Sequence, residues 1–244
     1  MIKIKYVGSK NRLSKEIAPI IQSYIDNMGE QCNGYFEPFV GGANMIDKIK
    51  CCHKYGSDAH KYLIALLRHV QNNIDDLPDT ITEDEYNAVR TNMGDYPDWY
   101  VGLVGFATFG AKWFGGYPRG FKADGVTPRD ITNEAIRNIK KQAQNLKGIE
   151  FSHRNFLDCS TDIKNFVIYC DPPYRDTTKY ATSDFPYDKF YQWCKDMAKN
   201  NIVLISEYYM PDDGFECIWQ GNLKCTLDKN SRTDKTEKLF ICRG

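Results

Sequence analysis

Residues 167–174 read Val-Ile-Tyr-Cys-Asp-Pro-Pro-Tyr, and this octapeptide restricts the fold more than any other stretch of the chain. Its first half has the continuous apolar character of a strand buried on both faces. Its second half cannot continue that strand, because two adjacent prolines remove two backbone donors and set two φ angles. An acid, a stiff turn and an aromatic ring are therefore held at the end of a core strand. In α/β sheets the carboxyl ends of the strands are where ligands bind.

The rest of the chain reads as the sheet that such a strand needs. Leu13, Ile17, Ile20, Ile21 and Tyr24 recur at helical spacing, with Ser9 as a candidate N-cap. "NGYFEPFVGG" is a short strand ending at a glycine pair, and "ANMIDKIKCC" is expected to continue as a helix. "CCHKYGSD" is a second strand, ending at Asp58, and "HKYLIALLRHVQNNI" is an apolar helix. Further on, "IEFSHRNF", "FVIYCD" and "NIVLISEYY" are strands, with "DKFYQWCKDMAKN" a helix between the last two. "FECIWQG", "KCTL" and "KLFICRG" follow with no helix between them, which predicts antiparallel pairing there. The fold class expected is α/β: a Rossmann-like, mostly parallel sheet with an antiparallel strand near the C-terminus.

The βα rhythm breaks between the two halves. From Asp75 to Asp98 there are eight acids (Asp75, Asp76, Asp79, Glu83, Asp84, Glu85, Asp95, Asp98) and one base, Arg90. From Lys112 to Lys147 there are eight bases (Lys112, Arg119, Lys122, Arg129, Arg137, Lys140, Lys141, Lys147) against Asp124, Asp130 and Glu134. Residues 75–147 are therefore expected to form an inserted, partly helical lobe, with 1–74 and 148–244 as the main domain. Acidic and basic residues balance at 32 each, which excludes a uniformly basic coat but not a local basic face. Residues 1–15 supply a second basic run, with Lys3, Lys5, Lys10, Arg12 and Lys15 and no acid.

The nine cysteines are odd in number and several sit in strand-like runs, and the chain opens without a secretory apolar stretch. Reduced core thiols in a cytoplasmic protein are the expectation. Cys51, Cys52 and His53 lack the partner pair a zinc site needs, so no metal is expected. No apolar stretch reaches the about eighteen residues of a membrane span.

Three clusters carry candidate chemistry. The glycine pair Gly41-Gly42 after a strand permits a tight turn and close backbone approach by a nucleotide-like cofactor, although a turn that merely needs positive φ would look the same. Asp58 ends the next strand, where an acid accepts from ribose hydroxyls, or where it caps the helix that follows. In Asp171-Pro172-Pro173-Tyr174 the acid and the fixed Pro172 carbonyl are acceptors beside a flat ring. That combination suits a planar, amino-bearing ligand.

Taken in order, "YVGSK", "FEPFVGG" and "DPPY", with a long insertion before the last, resemble the Dam-type (D12 class, alpha group) DNA adenine-N6 methyltransferases, and the resemblance spans nearly the whole chain. It implies S-adenosyl-L-methionine as cofactor. Lys10 would meet the cofactor carboxylate with Tyr6 packed beside it. Phe36, Glu37, Pro38, Phe39, Gly41 and Gly42 would wrap the methionine part, and Asp58 would hold the ribose. Asn155 and Phe156 fall where the family has an acid followed by Phe near the adenine. Asn keeps an acceptor but loses the charge, and Asp158 is a second candidate. "KTEKLFI" resembles a family strand beside the target-base pocket.

The expected reaction is transfer of the sulfonium methyl to the N6 amino group of an adenine swung out of double-stranded DNA. Tyr174 would stack on the base, while Asp171 and the Pro172 carbonyl would accept its amino hydrogens. The inserted lobe would supply Lys112, Trp113, Arg119, Lys122 and Arg129 to the duplex, with the acidic run turned away from it. The protein is expected to act as a monomer or weak dimer. Cytosine-N4 or RNA-adenine methylation, and a catalytically inactive nucleic-acid-binding relative, are the alternatives. A dinucleotide oxidoreductase is disfavoured because the glycine fingerprint is wrong.

Overall fold

The computed structural model describes residues 10, 13–107, 112–175, 185–223 and 235–243 of the 244-residue chain. Seven strands form one sheet: β1 (Gly34–Glu37), β2 (Lys54–Asp58), β3 (Ile149–His153), β4 (Phe166–Cys170), β5 (Ile202–Glu207), β6 (Phe215–Leu223) and β7 (Lys235–Cys242). Their spatial order is β3-β2-β1-β4-β5-β7-β6. The first five are mutually parallel, and β7 runs antiparallel to both β5 and β6. The expected sheet, including its antiparallel C-terminal pairing, is what forms. "KCTL" lies outside the described residues.

Period-2 alternation builds the two hydrophobic layers. Tyr35, Val167, Tyr169 and Leu204 face a core shared with helices α1 (Ser14–Met28), α2 (Lys61–Asn72), α4 (Asp98–Phe106) and α5 (Ile131–Leu146). Phe36, Ile168, Cys170, Val203 and Ile205 face the other way, onto Phe190, Trp193 and Met197 of α6 (Tyr187–Ala198). Strands covered on both faces must be apolar almost throughout, so the polar residues of β1, β4 and β5 collect at their carboxyl ends. Strand order reverses between β1 and β4, and ligands of doubly wound sheets bind at such a switch point.

Two local expectations are corrected. The segment after the glycine pair is a run of turns with only a 3₁₀ turn at Ile46–Lys48, not a helix. Gly41 and Ala43 both have positive φ, of 49° and 54°, which no helix propagates through. Gln142 of α5, itself buried, donates to the carbonyl oxygens of Gly42 (2.9 Å) and Ala43 (3.2 Å), supplying a partner that a helix would otherwise have supplied. At the N-terminus, α1 begins at Ser14 with Leu13 in the cap position. Ser9, the expected cap, lies outside the described residues.

The insertion between β2 and β3 shares the main core. Helix α3 (Glu83–Thr91) opens with a full capping box between Thr82 and Glu85. Helix α4 lies directly on α2, and glycine makes that approach possible: a Cβ on Gly102 would sit 2.2 Å from the Tyr62 carbonyl oxygen. Because the obstacle is backbone rather than a movable side-chain tip, Gly102→Ala must force α4 off α2. A loss of about 3 kcal/mol in unfolding free energy is expected, seen as a lower urea midpoint at unchanged slope.

Candidate functional site

Each of the central strands ends on a carboxylate. Glu37 closes β1, Asp58 closes β2, Asp171 follows β4 and Glu207 closes β5. The antiparallel β7 brings Glu237 alongside, since Lys238 pairs with Glu207 across the β5–β7 ladder. Burial raises the proton affinity of any carboxylate that lacks compensating partners, so the partners define the site.

Asp58 Oδ2 accepts from the Gly41 N–H at 3.1 Å and Oδ1 from the His60 N–H at 2.9 Å. One carboxylate therefore ties the glycine turn after β1 to the start of α2. Burial still pushes Asp58 above the usual range, against the pull of those N–H groups. Glu37 is 2% exposed and accepts from the Tyr35 hydroxyl at 2.7 Å, two residues back on the same side of the strand. Burial holds Glu37 well above its ordinary value, and the Tyr35 bond only partly offsets it.

Lys10 is the hub of the rest. Its ammonium, 6% exposed, lies 3.2 Å from Asp171 Oδ1 and 3.4 Å from Glu237 Oε1, and 4.1 Å from the centre of the Tyr174 ring. The Tyr174 hydroxyl donates to Glu237 Oε2 at 2.8 Å, and the Tyr208 ring stands nearly perpendicular to it with ring centres 4.7 Å apart. Burial lifts Asp171 to about 6; Lys10 opposes the shift and the charge of Glu237 adds to it. Burial lifts Glu207 further, to about 7, against two backbone N–H bonds from Tyr208 (2.7 Å) and Arg175 (3.2 Å). The second of those bonds pins the chain just beyond the proline pair. Pro172 is buried, while Pro173 is exposed and its carbonyl accepts from the Tyr187 hydroxyl at 3.1 Å.

Lys10, Glu37, Asp171 and Tyr174 thus meet at one edge of the sheet, with Gly41, Gly42 and Asp58 one strand away. Phe36 and Pro38 are buried beneath that edge. Phe39 and Phe156 stand with ring centres 5.3 Å apart, and Phe185 closes a three-ring cluster at 5.9 Å and 5.5 Å from them. The Asn155 side chain caps the 3₁₀ turn of residues 156–158 by accepting from the Leu157 N–H, and Asp158 is exposed. Tyr6 lies outside the described residues. One expectation changes in kind: Tyr174 is 8% exposed and one ring face is covered by Lys10, so no open stacking face is presented in this conformation.

The inserted lobe distributes its candidates differently from expectation. Trp113 packs at 5.3 Å on Tyr62, nearly parallel, and against His60 and Phe106, with Gly105 directly beneath it. It packs against the main hydrophobic core. Arg119 pairs with Glu83, and Arg129 clasps Glu134 through Nε and a terminal nitrogen. Lys140 reaches Asp79 as well. The acidic and basic runs are therefore interleaved rather than turned to opposite sides, because α5 folds back beside the segment leading into α3. Lys112 is exposed, and so is Lys122. Lys122 sits in a hairpin closed by Lys122 N–H to Thr127 O (2.8 Å) and Arg129 N–H to Gly120 O (2.9 Å). Asp124 caps its tip by accepting from the Val126 and Thr127 N–H groups. Phe121 and Val126 on this hairpin are 63% and 77% exposed, and no periodicity in the sequence marked them.

Glu207 and Gln142 were not singled out from the sequence, and Glu237 only as an unnamed member of "KTEKLFI". Glu207 carried one readable signal, an acid ending the apolar run "IVLIS". Among the described residues no group of three His, Cys, Asp or Glu side chains is placed to hold a metal, and no helix is long and apolar enough to cross a membrane.

Sheet order and the antiparallel β7 define a Rossmann-like α/β domain whose strand order reverses between β1 and β4, where the strand-end acids cluster. The family model for D12 class N6 adenine-specific DNA methyltransferases matches residues 6–98, the span that holds "GSK", "FEPFVGG" and Asp58. The sequence resemblance to that family is borne out over this span, and it supports methyl transfer as the chemistry. No curated protein matches the chain. Among solved structures, a protein of Thermoplasma acidophilum provisionally named a methyltransferase aligns over 47% of this chain and 54% of its own, at 7% identity and a TM-score of 0.26. A second protein, provisionally named a methyltransferase and solved in complex with SAH, aligns over 83% and 52% at 12% identity and a TM-score of 0.31. The chain spans about half the length of either structure.

The raised proton affinity of Glu207 has a measurable consequence. The folded chain holds a proton there up to about 7, whereas the ordinary value is 4.5. Between those values the folded state binds more protons than the unfolded one, so stability falls as pH rises through the window. Glu207→Gln is expected to remove that share of the slope in urea unfolding measured from about pH 5 to 7, since Gln has no proton to exchange. An unaltered slope would place the titration elsewhere.

Proposed function

We propose that the protein transfers a methyl group from S-adenosyl-L-methionine to the N6 amino group of an adenine in double-stranded DNA. The observation that carries the reading is the position of Asp171, which follows the β4 strand at the switch point and is held by a proline turn beside Tyr174. The family match over residues 6–98 supports it.

The residues at the edge fit the cofactor. Asp58 spends one lone pair on Gly41 and one on His60. A carboxylate has about four acceptor sites, so capacity remains for two ribose hydroxyls. Phe39 and Phe156 offer aromatic walls for a purine, Glu37 an acid for the methionine ammonium, and Lys10 a cation for its carboxylate. When bound, the cofactor supplies an electrophilic methyl on a sulfonium.

The chain's own groups do the rest. Asp171, as a carboxylate, accepts a hydrogen bond from the substrate amino group and keeps the nitrogen lone pair from delocalising into the ring, so the amine is a better nucleophile. Its acceptors are oriented before reaction, which favours the state in which positive charge grows on nitrogen. Tyr174 provides a flat face for the base once Lys10 moves aside. Burial of the edge strengthens each of these interactions. On the lobe, Lys122 of the exposed hairpin and Lys112 are the candidates for phosphate contact. Arg119 and Arg129 reach phosphate by exchanging one surface anion for another, at small cost because exposed ion pairs are weak.

Incubation with methyl-labelled cofactor and unmethylated duplex DNA tests the reading. Label in N6-methyladenine supports it, label in cytosine or only in RNA redirects it to the other amino-methyltransferases, and no label on any nucleic acid rejects it. Asp171→Ala is expected to lower transfer by at least about a hundredfold while DNA binding persists. In the wild type the rate should fall about tenfold per pH unit below the Asp171 value of about 6, because protonation removes the acceptor. Lys122→Ala should weaken DNA binding uniformly across sequences and reduce the salt slope by about one; unchanged affinity moves the DNA face elsewhere.

A further inference from the structure

Glu237 has no role in the reaction as outlined, yet it is 4% exposed and lies against the two groups that must move or hold still. Its oxygens divide the work: Oε2 accepts from the Tyr174 hydroxyl at 2.8 Å, and Oε1 lies 3.4 Å from the Lys10 ammonium. Lys10 also holds Asp171 Oδ1 at 3.2 Å, and it covers the face of Tyr174. A primary ammonium in that position donates to the same carboxylate, over the same ring, that the proposed function assigns to an adenine amino group. Substrate and Lys10 therefore compete for Asp171.

We propose that Glu237 is a positioning residue: it retains the Lys10 ammonium when the substrate amino group takes Asp171, and it pins the Tyr174 ring by its hydroxyl while this exchange occurs. This rests on the methyl-transfer reading. The physical need is plain, because a buried ammonium displaced from Asp171 with no second anion beside it would be left as an uncompensated charge. A second carboxylate already in reach supplies that compensation, and the lysine can shift from one anion to the other without entering water. The chain's geometry favours the arrangement. Glu237 sits on β7, a different chain segment from the proline turn after β4, so it does not follow Asp171 if that turn adjusts.

The test compares Glu237→Gln, Glu237→Leu, Tyr174→Phe and the double variant of the last two. Glu237→Gln keeps shape and an acceptor for the Tyr174 hydroxyl but removes the anion. Lys10 is then left to Asp171 alone, so KM for DNA should rise about tenfold or more, with kcat less affected. The acid limb of the rate profile should also move to lower pH. Asp171 is faced by Lys10, Glu37, Glu207, Glu237, Tyr169 and Tyr174; the Glu237 charge raises its proton affinity, and removing that charge lets it fall. A merely structural glutamate would move neither quantity. In urea unfolding, Glu237→Leu, which removes the acceptor, and Tyr174→Phe should be coupled, their joint effect on the folding equilibrium departing from the product of the two by about fivefold or more. A wild type that transfers no methyl group, with this coupling intact, sinks the function but leaves Glu237 as the anchor of Tyr174. Multiplicative effects on folding, or an unmoved KM and acid limb in a protein that does methylate DNA, overturn the proposal.

Discussion

The strand-end edge depends on a competition between desolvation and a small set of donors. Asp171, Glu207 and Glu237 are withdrawn from water around the ammonium of Lys10, while Glu37 is buried nearby with Lys48 as its cationic neighbour. Three anions around one ammonium would not survive burial if charge were the only account. Each acid instead has its own donors: the Tyr35 hydroxyl for Glu37, two backbone N–H groups for Glu207, the Tyr174 hydroxyl for Glu237 and Lys10 for Asp171. The remaining imbalance is visible in the raised proton affinities of Glu37, Asp171 and Glu207, each caused first by burial. Stability is therefore surrendered at neutral pH to hold a polar edge in place, which is the usual relation between a functional site and its scaffold.

That edge exists because the sheet reverses order between β1 and β4. Two apolar layers force the interior of every central strand to be hydrophobic, and the polar residues are displaced to the ends. The connections then do specific mechanical work. Asp58 clamps the glycine turn to α2, Gln142 reaches from α5 to the turn carbonyls, and Glu207 holds the chain beyond the prolines. The Gly41, turn-carbonyl and Arg175 groups they restrain are all distant in sequence from them. A turn segment replaces the expected helix after β1 because Ala43 and Gly41 take left-handed conformations, and Gln142 is there to satisfy what the missing helix would have.

The inserted lobe follows the same logic with charge. Its acidic and basic runs look segregated along the chain, yet Glu83 meets Arg119 and Asp79 meets Lys140 once α5 returns beside α3. Pairing leaves a hairpin with Lys122, Phe121 and Val126 exposed as the part of the lobe best placed to meet a large partner. Trp113, chemically an attractive candidate for such a contact, is instead needed to fill the space above Gly105.

What the sequence determined by itself was local. The proline pair stopped β4, 3.6-residue spacing built α1 and an apolar run built α2, and a mostly parallel sheet with an antiparallel end followed from the rhythm of elements. Asp58 and Asp171 were legible as candidates because each is an acid that ends a core strand, although Asp58 also accepts from the start of α2 as a capping acid would. The tertiary structure alone decided what those acids meet. Lys10 reaches Asp171 and Glu237 across most of the chain's length, and Tyr174 finds its hydrogen-bond partner on a strand that comes last in the chain and lies beyond β5. Contacts of that kind have no period and no spacing; they arise only when strand order brings distant ends to one edge, and burial there sets the charge each group carries.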